Sequence, residues 1–407
     1  MSVITIVGAA FSNKAAVIRE ISAKSEYKLV DIKDIVAAAG RTSGMSEAKI
    51  VAAFSAKTSV FNRFTHEKER SVAHLRLALA NILSEDNLLV TGPVSYLIPE
   101  KISHVLRVCL VAELKHRLNE AMQREGVAEK SALQQIRQQD EDLAAWMKML
   151  NLGDDPWAAG LYDIVIPMDK TDTDSAAALI LEKAGSDVVA KTAHSQSAID
   201  DFLLAAQVDV KLAQEGHNVT VDAKRGAITL TINKNVLMLS RLEEDLKSIV
   251  ENIPGVTSVS TKIGEGFYQP DIYRKYDFEV PSKVLLVDDE RDFVQTLSER
   301  LIMRDMGSAV AYDGESALSM IQEEEPEVMI LDLKMPGIDG IEVLRQVKST
   351  NPDIEVIVLT GHGTEKDKDI CMELGAFAFL QKPVDIQLLS QTLMKANEKV
   401  QGKKTRS

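Results

Sequence analysis

The sequence predicts an α/β protein in three parts: an N-terminal α/β domain, a small α+β module and a C-terminal doubly wound sheet of flavodoxin-like order. Three observations predict it. After residue 282, five short apolar runs alternate with helical segments within ~120 residues, the pattern of a parallel doubly wound sheet. Strand-like runs also alternate with helices from residue 1 to about 192. Between these two stretches, residues 196–264 read instead as αββαβ.

In the first part, over 1–192, Val3–Val7 reads as a strand. A second apolar run, Leu88–Val90, ends in Thr91-Gly92-Pro93, and a third covers Val105–Val111. A charged helical stretch over about 113–150 and a last run, Tyr162–Pro167, complete it. In the module, Ala198–Gln214 reads as a helix. Asn218–Val221 and Ala227–Ile232 alternate apolar with polar residues around Lys224-Arg225-Gly226, a hairpin signature. Leu237–Asn252 is amphipathic and stops at Pro254-Gly255, and Val256–Lys262 alternates again. Residues 265–281 have no clear period and read as a linker. The third part, 282–400, has its runs at Val284–Val287, Ser308–Ala311, Val328–Leu331, Val356–Leu359 and Ala378–Leu380, with 401–407 as a flexible tail.

Composition narrows the function classes. A formal net charge of −14 opposes broad affinity for a phosphate backbone, and no helix-turn-helix with basic recognition residues is apparent, so no direct nucleic-acid contact is expected. No apolar stretch approaches the ~20 residues of a membrane span, and the start MSVITIVGAAF lacks a signal peptide's charge and length. A cytoplasmic location is therefore expected. Cys109 and Cys371 each sit in an apolar segment and read as small buried hydrophobes.

In a doubly wound sheet, ligands sit beyond the carboxyl ends of the strands. Asp288 and Asp289 follow the first C-terminal run, Asp332 ends the third, Thr360 ends the fourth, and Lys382 with cis-prone Pro383 follows the fifth. Three carboxylates on one edge repel each other, so a hard divalent cation with oxygen preference, Mg²⁺, is the natural counter-ion. An Asp carboxylate there can take a phosphoryl group as an acyl phosphate, with Lys382 and the Thr360 hydroxyl on its oxygens. His362 beside them reads as a loop residue.

The motifs LLVDDE (285–290), MILDLKMPGIDG (329–340), VLTGHG (358–363) and FLQKP (379–383) resemble the receiver domains of response regulators, over the whole segment. The resemblance implies a phosphoacceptor at Asp332 and a Mg²⁺ site of Asp288, Asp289, Asp332 and the Lys334 backbone carbonyl. It also implies Thr360 and Phe379 as a coupled switch pair, and a cognate histidine kinase or phosphotransfer protein as donor. Phe377 reads as linker-facing or core.

Gly8 to Lys14 has the outline of a P-loop, in which backbone N–H groups cradle phosphates and a lysine reaches them. Gly8, Asn13 and Lys14 are thus candidate nucleotide-binding residues, with ATP or another nucleotide as ligand. Two positions depart: Asn13 stands for the second glycine, and Ala15 for the hydroxyl that ligates Mg²⁺. With NRFTHEKE (62–69), LLVTGPVSYLI (88–98), HVLRVCLVAELKHRLNEAMQREG (104–126), IRQQDEDLAAWMKMLNLGDDPW (136–157) and LYDIVIP (161–167), the segment resembles the cytidylate-kinase-like family. The family's Gly-Arg-Gly stands here as Gly92-Pro93-Val94, and its lid pattern of Asp, Arg and an aromatic as Asp140, Leu143 and Trp146. Two phosphate-handling arginines are absent, with Arg117, Arg124 and Arg137 nearby as partial substitutes.

Residues 199–263 resemble a BON domain, which implies a structural or interaction module. His194 and His217 read as surface residues. Three functions stay open. The first is a two-component response regulator that switches contacts of its attached domains or of a downstream protein partner on phosphorylation. The second is a receiver-gated nucleoside monophosphate kinase, against which Ala15, Pro93 and Leu143 speak. The third is a nucleotide-sensing module that biases the receiver.

Overall fold

Residues 1–58 with 67–273 form one unit of the chain, and residues 59–66 with 274–407 a second. The structure is a computed structural model and describes residues 2–236, 238–268, 283–304, 306–361 and 363–404. From residue 269 onwards the expected linker lies outside the described residues, as do His362 and residues 405–407 of the tail.

The first unit is organised by a parallel sheet of β1 (Val3–Gly8), β2 (Lys28–Val30), β3 (Leu88–Thr91), β4 (Val105–Val111) and β5 (Ile164–Pro167), in the order β2-β3-β1-β4-β5. Side chains alternate across a strand, and the two faces carry separate cores. Val3, Leu88, Val90 and Val105 enter one, with helix Ile32–Ser43, helix Glu67–Ile82 and Trp146. Ile4, Ile6, Leu89, Leu106 and Val108 enter the other, with helices Lys14–Lys24 and Thr173–Ala184. The expected helical stretch at 113–150 is two helices, Leu114–Glu125 and Glu129–Met149, because Gly126 ends the first with a left-handed φ of 65°.

Helix Ala193–Gln214 starts at a capping box of Thr192 and Ser195 and enters two cores. Ala198, Ile199, Phe202 and Ala206 join the Trp146 core, whereas Val208 and Leu212 join the core of the small module. There β6 (Thr220–Lys224) pairs antiparallel with β7 (Ala227–Ile232), and β8 (Ser258–Ile263) adds to β7 in parallel. Helix Leu239–Val250 covers the sheet through Leu242, Leu246 and Val250. The αββαβ order is thus present. The hairpin turn is Arg225-Gly226, with φ of 49° and 85°. A Cβ on Gly226 would lie 2.8 Å from the Gly255 carbonyl oxygen, so the glycine is required by space as well as by φ. His217, expected at the surface, is buried at 5% exposure, because the turn after Gln214 folds its main chain back onto Leu212. His194 is exposed as expected.

His74 is buried beside the Thr42 hydroxyl, 3.0 Å from its Nδ1. Burial, reinforced by the Arg70 charge, lowers its pKa from 6.5 to about 4. Between these values the unfolded chain binds the extra proton, so stability is full above pH 6.5 and falls as pH drops towards 4. Denaturant titrations from pH 7 to 4.5 are expected to show this loss, and His74→Gln to flatten part of it. An unchanged slope in that variant would reject the assignment.

The second unit contains the other parallel sheet: β9 (Val284–Val287), β10 (Ser308–Ala311), β11 (Val328–Leu331), β12 (Glu355–Thr360) and β13 (Ala378–Gln381), in the order β10-β9-β11-β12-β13. This is the expected flavodoxin-like order, and its strands β9, β11 and β12 are buried throughout, as a sheet covered on both faces requires. Leu285, Val287, Met329 and Leu331 face helices Gly314–Glu323 and Gly340–Thr350 in a core that also buries Phe61. Val284, Leu286, Val328 and Ile330 face helices Arg291–Ile302 and Ile386–Lys404. Phe377 is partly buried in this second core, with Lys399 Nζ 5.4 Å from its ring centre.

Candidate functional site

In the second unit the strand order reverses beside β9, and the polar residues gather at the carboxyl ends. Asp288 follows β9 and is pinned by its own N–H to the Ala311 carbonyl, while Asp332 follows β11 with its N–H on the Val287 carbonyl. Carboxylate oxygens of Asp288, Asp289 and Asp332 all lie within 4.8 Å of one another. Asp288 and Asp332 are buried, and Asp289 opens towards solvent. Burial raises the Asp288 pKa, against the opposing hydrogen bond from Lys382.

Lys382, whose peptide bond to Pro383 is cis, faces this cluster. Its Nζ is 2.6 Å from Asp288, 2.8 Å from Glu290 and 4.0 Å from Asp332. It also sits 4.4 Å from the centre of the Phe293 ring. Burial alone would lower the lysine pKa, but the hydrogen bonds to Asp288 and Glu290 outweigh it and raise the value. The Lys334 N–H donates to Asp332 Oδ2 at 3.2 Å, whereas Asp332 Oδ1 is buried with no hydrogen-bond partner among the described residues, its nearest cation being Lys382 Nζ at 4.0 Å. A buried carboxylate oxygen without a hydrogen bond, in a cluster of three carboxylates that Lys382 alone does not neutralise, fits a hard cation, because like charges held this close repel. Thr360 is fully buried at the end of β12. A Cβ built on Gly363 would lie 2.7 Å from Thr360 Cγ2 and 2.6 Å from Phe379 Cζ, so the expected switch pair borders one glycine.

Glu290 escaped the sequence reading as a partner of Lys382. The acidic run Asp288-Asp289-Glu290 was visible, but only the fold places its third carboxylate 2.8 Å from a lysine 92 residues away.

In the first unit, β1 lies between β3 and β4, so the loop after it opens at another strand-order reversal. Phe11 and Asn13 take left-handed φ values of 59° and 57°, and Asn13 stands at the N-cap of helix Lys14–Lys24 with its side chain turned to Arg124 rather than to the helix N–H groups. Gly8 is closely packed, since a Cβ there would lie 3.0 Å from Ser12 Oγ and 3.1 Å from the Leu110 carbonyl oxygen. A cleft of about 380 Å³ opens here, lined by Gly8, Lys14, Pro93, Asp140, Leu143 and Trp157 among others. Burial lowers the Lys14 pKa, partly offset by Asp31, and Ser12 Oγ is buried without a hydrogen-bond partner among the described residues.

The arginines named as substitutes do not face this cleft as free cations. Arg117 donates through Nε to the Ala10 carbonyl at 2.8 Å and through both terminal nitrogens to Asp140 at 2.9 and 2.7 Å. Arg124 bonds Asn13 and pairs with Glu120, and Arg137 is exposed. Trp146, expected in the lid, is instead a fully buried core residue; its indole N–H donates to the Pro93 carbonyl at 2.9 Å, and its ring lies 4.5 Å from that of Phe54.

Comparison with known proteins gives two matches to families. Residues 284–394 match the response regulator receiver domain, and residues 3–170 match the cytidylate kinase-like family. Response regulator MprA of Mycolicibacterium vanbaalenii is 34% identical over 110 residues, 27% of this chain and 48% of that protein. Response regulator MprA of Mycobacterium avium is 35% identical over 107 residues, 26% and 47% respectively. The chain thus spans about half the length of the curated relatives it matches. Among solved structures, the receiver domain of NtrX from Brucella abortus is 29% identical, covering 28% of this chain and 98% of that one, with a TM-score of 0.27. A response regulator receiver domain protein from Clostridium thermocellum is 33% identical, covering 31% and 98%, with a TM-score of 0.29. Among the described residues no helix is long and apolar enough to cross a membrane. The chain therefore carries a response regulator receiver domain at residues 284–394, behind a segment, residues 3–170, that matches the cytidylate kinase-like family.

Proposed function

We propose that the receiver takes a phosphoryl group on Asp332 from a histidine kinase or phosphotransfer protein and thereby switches contacts of the attached domains or of a downstream partner. The observation that carries this reading is the buried Oδ1 of Asp332, without a hydrogen bond and 4.0 Å from Lys382 Nζ, among three carboxylates. Asp288, Asp289, Asp332 and the Lys334 carbonyl would hold Mg²⁺, which supplies charge neutralisation of the phosphoryl oxygens. An Asp332 oxygen attacks phosphorus, the bond from phosphorus to the donor's imidazole nitrogen breaks, and the nitrogen keeps the electron pair. The Lys382 ammonium and the Thr360 hydroxyl then bind the new phosphoryl oxygens. Thr360 moving towards that group vacates space beside Gly363, which Phe379 can fill. In this reading Mg²⁺ removal by EDTA reduces labelling of the full chain by a small acyl-phosphate donor at least tenfold.

The cleft beside Lys14 favours a second activity in the same chain, nucleotide binding without efficient turnover. Its support is a half-buried lysine and an unpartnered hydroxyl at a P-loop outline. Ala15 cannot ligate Mg²⁺, and Pro93 and Leu143 offer no charge to a transferring phosphoryl group. Calorimetry of the full chain is expected to show Mg-ATP binding that weakens at least tenfold in Lys14→Ala, with no steady-state transfer to pyrimidine monophosphates. No heat at millimolar nucleotide would remove the binding reading, and turnover above ~1 s⁻¹ would restore the kinase reading.

A further inference from the structure

Arg117 lies directly behind the cleft wall: it does not line the cleft itself, but both groups it binds, the Ala10 carbonyl and the Asp140 carboxylate, belong to residues that do. The guanidinium is 8% exposed, and every one of its nitrogens is occupied: Nε on the Ala10 carbonyl of the P-loop, and the two terminal nitrogens in a fork on one carboxylate. Fork-on-carboxylate and fork-on-phosphate are the same hydrogen-bonding geometry, with similar N···O spacing. Asp140 itself is less buried, at 31%, and lines the cleft that Lys14 also lines. The pair links helix Leu114–Glu125, the P-loop and helix Glu129–Met149 across 23 residues of sequence.

We infer that Asp140 is a built-in anion that competes with the ligand for Arg117, so that the cleft takes a pyrophosphate-bearing ligand only as the fork passes from the Asp140 carboxylate to a phosphoryl oxygen pair. This rests on the reading of the Lys14 cleft as an anion site. Affinity is then held down by the cost of breaking a partly buried ion pair and leaving Asp140 beside an incoming anion. No bond other than hydrogen bonds changes in the exchange. The device makes the empty cleft self-neutralised and its occupation conditional on ligand concentration.

Inorganic pyrophosphate is the probe, titrated into the full-length chain. Asp140→Asn keeps the size of the side chain and removes its charge, and is expected to bind pyrophosphate at least tenfold tighter than the wild type. The gain should vanish in an Arg117→Gln background, which separates the exchange from a general loss of negative charge. Asp142→Asn is the charge control: Asp142 also lines the cleft, but its Oδ1 accepts from the Ala56 N–H at 2.6 Å and it forms no pair with Arg117. An equal gain in Asp142→Asn, or a gain that survives in the Arg117→Gln background, overturns the competition. Unchanged affinity in Asp140→Asn, with binding still lost in Lys14→Ala, overturns the competition alone and leaves the anion site standing. Absence of binding in every variant overturns both. Asp140→Ser replaces the Asn variant should that one not fold, with the same expectation.

Discussion

Asp332→Asn is expected to reduce phosphoryl labelling of the full chain from about one group per molecule to none. The substitution keeps the side chain's size and one acceptor oxygen, but an amide is no nucleophile towards phosphorus and cannot form the acyl phosphate. The fold should be kept, because Asp332 Oδ1 has no hydrogen bond to lose and lies in a cluster of three carboxylates within 4.8 Å. Removing one of three like charges relieves repulsion, so the thermal midpoint should be equal or higher. The measurement is incorporation from a labelled small phosphodonor with Mg²⁺, read as an acid-stable, base-labile group. Persistent stoichiometric label in the variant would place the acceptor elsewhere and end the assignment of Asp332.

Gly340→Ala is expected to damage stability and phosphorylation together. A Cβ there would lie 2.2 Å from the Asp332 carbonyl oxygen and 2.7 Å from Leu333 Cα. Both neighbours are main chain, so no side chain can swing aside. The Gly340 N–H also donates to the Leu333 carbonyl at 3.1 Å, which ties the start of helix Gly340–Thr350 to the segment carrying Asp332. Relief requires the helix start and the Asp332 backbone to separate by about an ångström, at a cost of about 3 kcal/mol. A displacement of that size at a reacting group slows transfer by on the order of a hundredfold. Urea denaturation and the labelling rate check the two halves. A variant with wild-type midpoint and rate would show that the tight approach has no role in holding the site.

The receiver was legible because its chemistry sits at strand ends, and strand ends are marked in sequence by the stop of an apolar run. The runs Val284–Val287, Ser308–Ala311 and Val328–Leu331 coincide with β9, β10 and β11, and Asp288, Asp332, Thr360 and Lys382 fall at one edge of the sheet. The first unit was less legible. Its strand β2 is three residues long, too short to show a period, and helix Ala193–Gln214 reads as one element although its two halves serve different cores. His217 looked like a surface residue because burial of a lone polar side chain leaves no local pattern.

The sequence by itself determined the kind of protein: which runs become parallel strands and which carboxylates end them. These follow from local periodicity and from side-chain chemistry, both of which are properties of neighbouring residues. Tertiary structure alone decided which charges meet. The fold sets Arg117, a candidate phosphate ligand in sequence, against Asp140, and it sets Glu290, the third acidic residue of its run, against Lys382. The reason is distance: a charge pair forms between residues that chain topology brings within a few ångströms, and the 23 and 92 residues separating these partners carry no local signal of that approach.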